Sequence, residues 1–94
     1  MNWKLLENED LEKILKELPS WSVEQGKLIR AFSFADFRQA MAFLVRVSFE
    51  AETLGHHPEI YNVYNKVRIQ LSTHEAGDRI TSLDIELAQR IDAL

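Results

Sequence analysis

The chain has 94 residues, 46% of them hydrophobic and 28% charged, which fits one domain with one modest core. Eleven Lys and Arg against fifteen Asp and Glu give a net charge of −4, which argues against direct nucleic-acid binding, where cations must displace phosphate counterions. With no Cys, disulfides, thiolate catalysis and cysteine zinc sites are excluded.

The first segment, "MNWKLLENEDLEK", is acidic within ten residues and lacks the apolar run of a signal peptide. No eighteen apolar residues run together, so no membrane span is expected, and the default is a soluble cytoplasmic protein. "ENEDLEKILKELPSW" predicts a short helix, with Leu11, Ile14, Leu15 and Leu18 in one stripe and Pro19 as its stop. "SWSVEQGKLIRAFSF" predicts a hairpin, turning at "EQGK" and returning from Leu28 to Phe34.

"SFADFRQAMAFLVRVSFEAETLG" predicts the longest helix. Ser33 and Asp36 have capping-box spacing, and Gly55 suits the left-handed residue after a helix end. Phe37, Met41, Leu44, Ser48 and Ala51 share one face; Phe43, Val47 and Leu54 share a second. This arc is wider than one sheet needs, which fits either a helix contact between subunits or a deeply buried helix.

"PEIYNVYNKVRIQLST" predicts a second hairpin turning at Asn65-Lys66, because Asn tolerates positive φ. That register sets Ile60 against Leu71 and Asn62 against Ile69, and ends with His57 facing His74. Two imidazoles would then converge at one end of the sheet, some 4.5–5.5 Å apart at Cβ. His57 precedes Pro58, which favours extended backbone. Neighbours in extended chain face opposite ways, so His56 points elsewhere; Glu52, four residues before it, can reach His56 or the approach to the site. "TSLDIELAQRIDAL" closes the chain as a helix, with Leu83, Leu87, Ile91 and Leu94 on one face and a Thr81–Asp84 capping box. The order helix, two strands, helix, two strands, helix gives an α+β domain over residues 1–94, with helices on one face of an antiparallel sheet.

Three histidines are a known zinc set, but adjacent histidines on a regular strand cannot face one ion, and no i, i+4 helical pair is present. Asp84 is fully explained by its cap, and Glu52 reads equally as a solvated last-turn residue. What remains is a pocket of two or three histidines suited to proton transfer, since imidazole titrates near pH 6.5.

The spacing Glu52, three residues, "HHP" (His56–Pro58), five residues, Tyr64, nine residues, His74, nine residues, Asp84 resembles the pterin-4a-carbinolamine dehydratases. "HHPEIYNVYNKVRIQLSTHEAG", "ITSLDIELAQRID", "LPSW" and "LIRAFSFADFRQAMAFL" extend the resemblance over nearly the whole chain. It implies a four-stranded antiparallel sheet with three helices, assembly into dimers or tetramers, and no metal or cofactor. It also implies dehydration of 4a-hydroxytetrahydropterin, formed by aromatic amino acid hydroxylases. His56, His57 and His74 would catalyse; Glu52, Pro58 and Asp84 would orient groups or bind the pterin. Gly55, Ala76 and Leu83 stand where some members carry other residues, which touches finer substrate contacts only. Some members of the family instead serve as dimerization partners of a homeodomain transcription factor, the alternative reading.

Overall fold

The computed structural model describes residues 3–94. In chain order it forms helix α1 (Asn8–Leu15), strands β1 (Ser22–Glu24) and β2 (Lys27–Ser33), and helix α2 (Phe37–Leu54). Strands β3 (Glu59–Val63) and β4 (Lys66–Leu71), a 3₁₀ turn (His74–Ala76) and helix α3 (Ser82–Asp92) follow. The sheet is antiparallel throughout, in the order β1-β2-β4-β3, as the alternation of strand pairs and helices leads one to expect.

Side-chain alternation gives the sheet one apolar face. Leu28 of β2 and Val67, Ile69 and Leu71 of β4 are buried beneath the helices. Val47 of α2 and Leu87 and Ile91 of α3 meet them from above, each such burial stabilising by about 1.5–3 kcal/mol. Leu11, Ile14 and Leu15 of α1 pack at the margin of this core. Leu18 lies beyond the helix end but is buried all the same. Trp21 is buried too, and its indole N–H donates to Asp92 Oδ1 at 2.8 Å, tying the start of β1 to the end of α3.

Two caps form as the residues suggest. Gly55 ends α2 at φ 61°, with the His56 N–H donating to Ala51 O at 3.0 Å. Thr81 and Asp84 make a reciprocal capping box at the start of α3. The proposed Ser33–Asp36 box is not made. Asp36 itself caps α2, accepting from the Gln39 N–H at 2.9 Å, because Ser33 is taken up in β2 opposite Lys66.

The β3–β4 loop is Tyr64-Asn65, not Asn65-Lys66, so each β3 residue pairs two places earlier than expected: Ile60 faces Ile69 and Asn62 faces Val67. The positive φ falls on Tyr64, at 53°. Asn65 is drawn into a long-range tie instead, its Nδ2 donating to Phe34 O at 2.8 Å and its own carbonyl accepting from the Phe34 N–H at 2.9 Å. A slip of two residues preserves which side chains share a face.

The buried stripe of α2 is Ala40, Val47 and Ala51, flanked by half-buried Phe43, Leu44 and Leu54. Of the apolar residues in the arc read from the sequence only Phe37 is exposed, but Val45 and Phe49, outside that arc, are exposed beside it, so α2 carries an uncovered apolar row. On α3 the buried residues are Asp84, Ile85, Leu87, Ala88 and Ile91, while Leu83 is half-buried and Leu94 lies beyond the helix and is exposed. Among the described residues no helix is long and apolar enough to cross a membrane.

Candidate active site

The end of α2, the end of β4 and the start of α3 meet at one edge of the fold. There a cleft of about 230 Å³ is lined by His56, His57 and His74, with Trp3, Thr73 and Leu83 among its other walls. The expected route to this convergence is not the one taken. β3 begins at Glu59 and β4 ends at Leu71, so His57 and His74 are not opposed strand residues. His74 instead opens the 3₁₀ turn, which closes at Gly77 with φ 75°. The Thr73 N–H, bonded to Arg79 O at 2.8 Å, folds that turn back beside α2.

Each imidazole has a carboxylate on one ring nitrogen. His56, with a side chain only 10% exposed, places Nε2 2.5 Å from Oδ1 of fully buried Asp84. Asp84 Oδ2 is already saturated, accepting from the Thr73 hydroxyl at 2.8 Å and the Thr81 N–H at 2.9 Å. With Asp84 ionised, His56 therefore donates from Nε2 and leaves Nδ1 for other work. The Thr73 proton is spent on Asp84, so the Thr81 hydroxyl, 2.6 Å away, donates to Thr73 Oγ1. A capping residue thus doubles as the anchor of the most buried histidine.

His57 is 71% exposed and its Nε2 lies 2.8 Å from Glu52 Oε1. Glu52 therefore pairs with His57, not His56: Gly55 turns the chain out of the helix, so the i, i+4 relation to His56 is not realised. Pro58 lies on the far side of His57, in a neighbouring cleft of about 450 Å³ shared with Glu52, Phe49 and Ile60. His74 is 94% exposed, with Nδ1 3.1 Å from Asp78 Oδ1. Among the described residues no group of three or more His, Asp or Glu side chains is placed to hold a metal ion.

Three residues of this arrangement escaped the sequence reading. Asp78 sits four positions past His74, a spacing that matters only if the chain coils there, and the expected hairpin register treats His74 as a strand residue. Thr73 announces nothing by itself. Trp3 falls in the least patterned stretch of the chain.

The sequence pattern of the family described as pterin 4 alpha carbinolamine dehydratase matches residues 4–94. The chain belongs to that family. A relative from Opitutus terrae is 44% identical over 96% of this chain and 93% of its own length. One from a Synechococcus species is 47% identical over 96% of each. Both are provisionally named pterin-4-alpha-carbinolamine dehydratase. Among solved structures, the transcriptional coactivator/pterin dehydratase of Brucella melitensis superposes with a TM-score of 0.89 at 34% identity, covering 96% of this chain and 97% of that one. A pterin dehydratase-like protein described as a RuBisCO assembly factor in the alpha-carboxysome matches less fully, with a TM-score of 0.62 at 27% identity over 78% of this chain and 83% of that one.

Proposed function

We propose that this protein dehydrates 4a-hydroxytetrahydropterins to quinonoid dihydropterins by histidine acid–base catalysis, as a step in recycling the tetrahydropterin used by an aromatic amino acid hydroxylase. The observation that carries the reading is three imidazoles on one cleft, each with one nitrogen held by a carboxylate and, among the described residues, the other nitrogen unbonded. Family membership supports the same substrate class.

The substrate carbon bears a hydroxyl and an amine nitrogen. An imidazolium gives its proton to the hydroxyl oxygen, the C–O bond breaks as the nitrogen lone pair forms C=N, and water leaves. A second imidazole takes the proton from that nitrogen. Atoms and charge balance without oxidant, reductant or nucleophile, and each proton transfer is worth about 10²–10⁴-fold. His56, His57 and His74 exchange protons and hold the pterin. Asp84, Glu52 and Asp78 keep each ring in one tautomer, and Pro58 sets the backbone of His57.

The test generates the 4a-hydroxypterin in situ with a phenylalanine hydroxylase and follows its dehydration. Wild type running at the uncatalysed rate would overturn the reading. His74→Ala is expected to lower turnover by about 10²–10⁴-fold. Its melting temperature should barely move, because His74 is almost fully exposed. Parallel losses of activity and folded fraction would make His74 structural.

The exposed row Phe37, Val45 and Phe49 on α2 supports assembly into homodimers or homotetramers through that helix. The same row favours a second reading, a dimerization partner of a transcription factor, and the name of the Brucella relative joins the two roles.

A further inference from the structure

Trp3 belongs to no helix, strand or histidine–carboxylate pair, yet it forms part of the wall of the histidine cleft. Its position is not that of a loose terminus. The Lys4 N–H donates to Ser82 Oγ at 2.8 Å, the Ser82 N–H donates to Lys4 O at 2.9 Å, and Leu5 bridges to Thr81. These bonds clip the strap to the first turn of α3, the same turn whose Asp84 holds His56. Trp3 and His56 are therefore positioned from one rigid element, and Leu83 of that turn lines the same cleft.

The indole nitrogen is the second observation. Trp3 Nε1 is the one buried side-chain nitrogen or oxygen without a hydrogen-bond partner among the described residues. Indole N–H can only donate, and a covered donor without an acceptor carries a desolvation penalty that nothing among the described residues returns. Buried tryptophans ordinarily find a partner for that group. The other tryptophan here does so, with Asp92.

We propose that Trp3 is a pterin-binding residue, turning the edge of its indole toward the rim of the flat ring system and passing its Nε1–H to an acceptor there. The assignment rests on the dehydratase reading above. A pterin offers what the site lacks, a planar heteroaromatic body with a carbonyl and ring nitrogens along its edge. The N–H is covered before the ligand arrives, so the bond forms with a turn of the half-buried indole, a side-chain motion that is fast compared with turnover. Trp3 moves no proton. It is a binding and specificity residue, and its effect belongs in KM.

The experiment uses the full chain, dihydrobiopterin as probe, and titration by calorimetry with tryptophan fluorescence in parallel. Trp3→Phe keeps the ring and removes the N–H, and should weaken binding about three- to tenfold, the worth of one net hydrogen bond. Its melting temperature should stay level or rise, since an idle buried donor is gone. Trp3→Ala should weaken binding by about thirtyfold or more. In turnover, KM should rise in both while kcat stays within about twofold. Ligand quenching of tryptophan emission should be largely lost in Trp3→Phe. If wild type saturates with dihydrobiopterin and Trp3→Phe binds equally well, the proposal is overturned while the dehydratase reading stands. If wild type itself does not bind the probe, both fall together. Should Trp3→Ala fail to fold, Trp3→Phe alone decides.

Discussion

Asp84→Asn separates the two duties of one side chain. Asp84 is fully buried and accepts three hydrogen bonds, one from His56 at Oδ1 and two at Oδ2. An amide of the same shape can accept at one atom only. If its oxygen keeps the Thr73 and Thr81 donors, its NH₂ faces His56, and the ring must accept at Nε2 and carry its proton on Nδ1. That exchanges the nitrogen His56 offers to the cleft. If the amide sits the other way, two buried donors lose their acceptor, which costs more. The first arrangement therefore wins, at about 2 kcal/mol for the lost charge-assisted bonds. At about 4–8 °C per kcal/mol for a domain of this size, melting should fall by about 8–16 °C. The wrong tautomer should lower kcat by about 10²–10⁴-fold in the coupled hydroxylase assay, run well below the melting point. Thr73→Val is the control. It removes one donor to Oδ2 and leaves the His56 pair intact, so it should lose comparable stability and far less activity. Asp84→Asn with kcat within about threefold of wild type, despite the drop in melting temperature, would reduce Asp84 to a helix cap and refute the reasoning.

Val45 is 52% exposed in the middle of the apolar row on α2 and lines none of the clefts described above, so Val45→Glu should shift sedimentation to a smaller species while leaving helix content intact; unchanged mass would remove α2 as the contact. Tyr64 is 79% exposed and holds φ at 53°, a conformation Asn adopts more readily than a bulky aromatic. Tyr64→Asn should therefore raise stability by about 0.5–1 kcal/mol, read as a higher urea midpoint with the same slope. A lower midpoint would mean that the tyrosine ring contributes packing that outweighs its backbone strain.

The parts of the fold that were legible in the sequence are those set by local chemistry. Gly55 after a long apolar helix and Thr81 three places before Asp84 each describe a helix end that needs no distant partner, and both form as read. The readings that failed were those in which a distant residue outbid a local preference. Ser33 could have capped α2, but Lys66 across the sheet claims it as a strand residue and bonds its hydroxyl at 3.1 Å. Asn65 could have taken the left-handed place in its turn, but Phe34 holds it at both its side chain and its carbonyl. Glu52 reaches the second histidine because the helix unwinds at Gly55 before it can reach the first.

The slipped hairpin shows why the three histidines line one cleft although the expected register is not the one formed. Moving the turn back by one residue shifts every cross-strand partner by two, and a period of two returns each side chain to the face it had. The apolar set Val67, Ile69 and Leu71 stays beneath the helices, so β4 still leads to the same edge, where the chain meets the end of α2. A slip by one residue would have turned Val67, Ile69 and Leu71 to solvent and carried His74 away from His56 and His57. Convergence of the histidines thus depends on the parity of the hairpin and on the coil after Thr73, and the direct pairing of His57 with His74 was never required. By the same logic Asp78, invisible to strand spacing, becomes the partner of His74 as soon as the segment coils, since the two stand four apart. The carboxylate behind each imidazole is therefore supplied by a different local device: a helix cap for His56, a last helical turn for His57, and the residue just past the glycine that closes the 3₁₀ turn for His74.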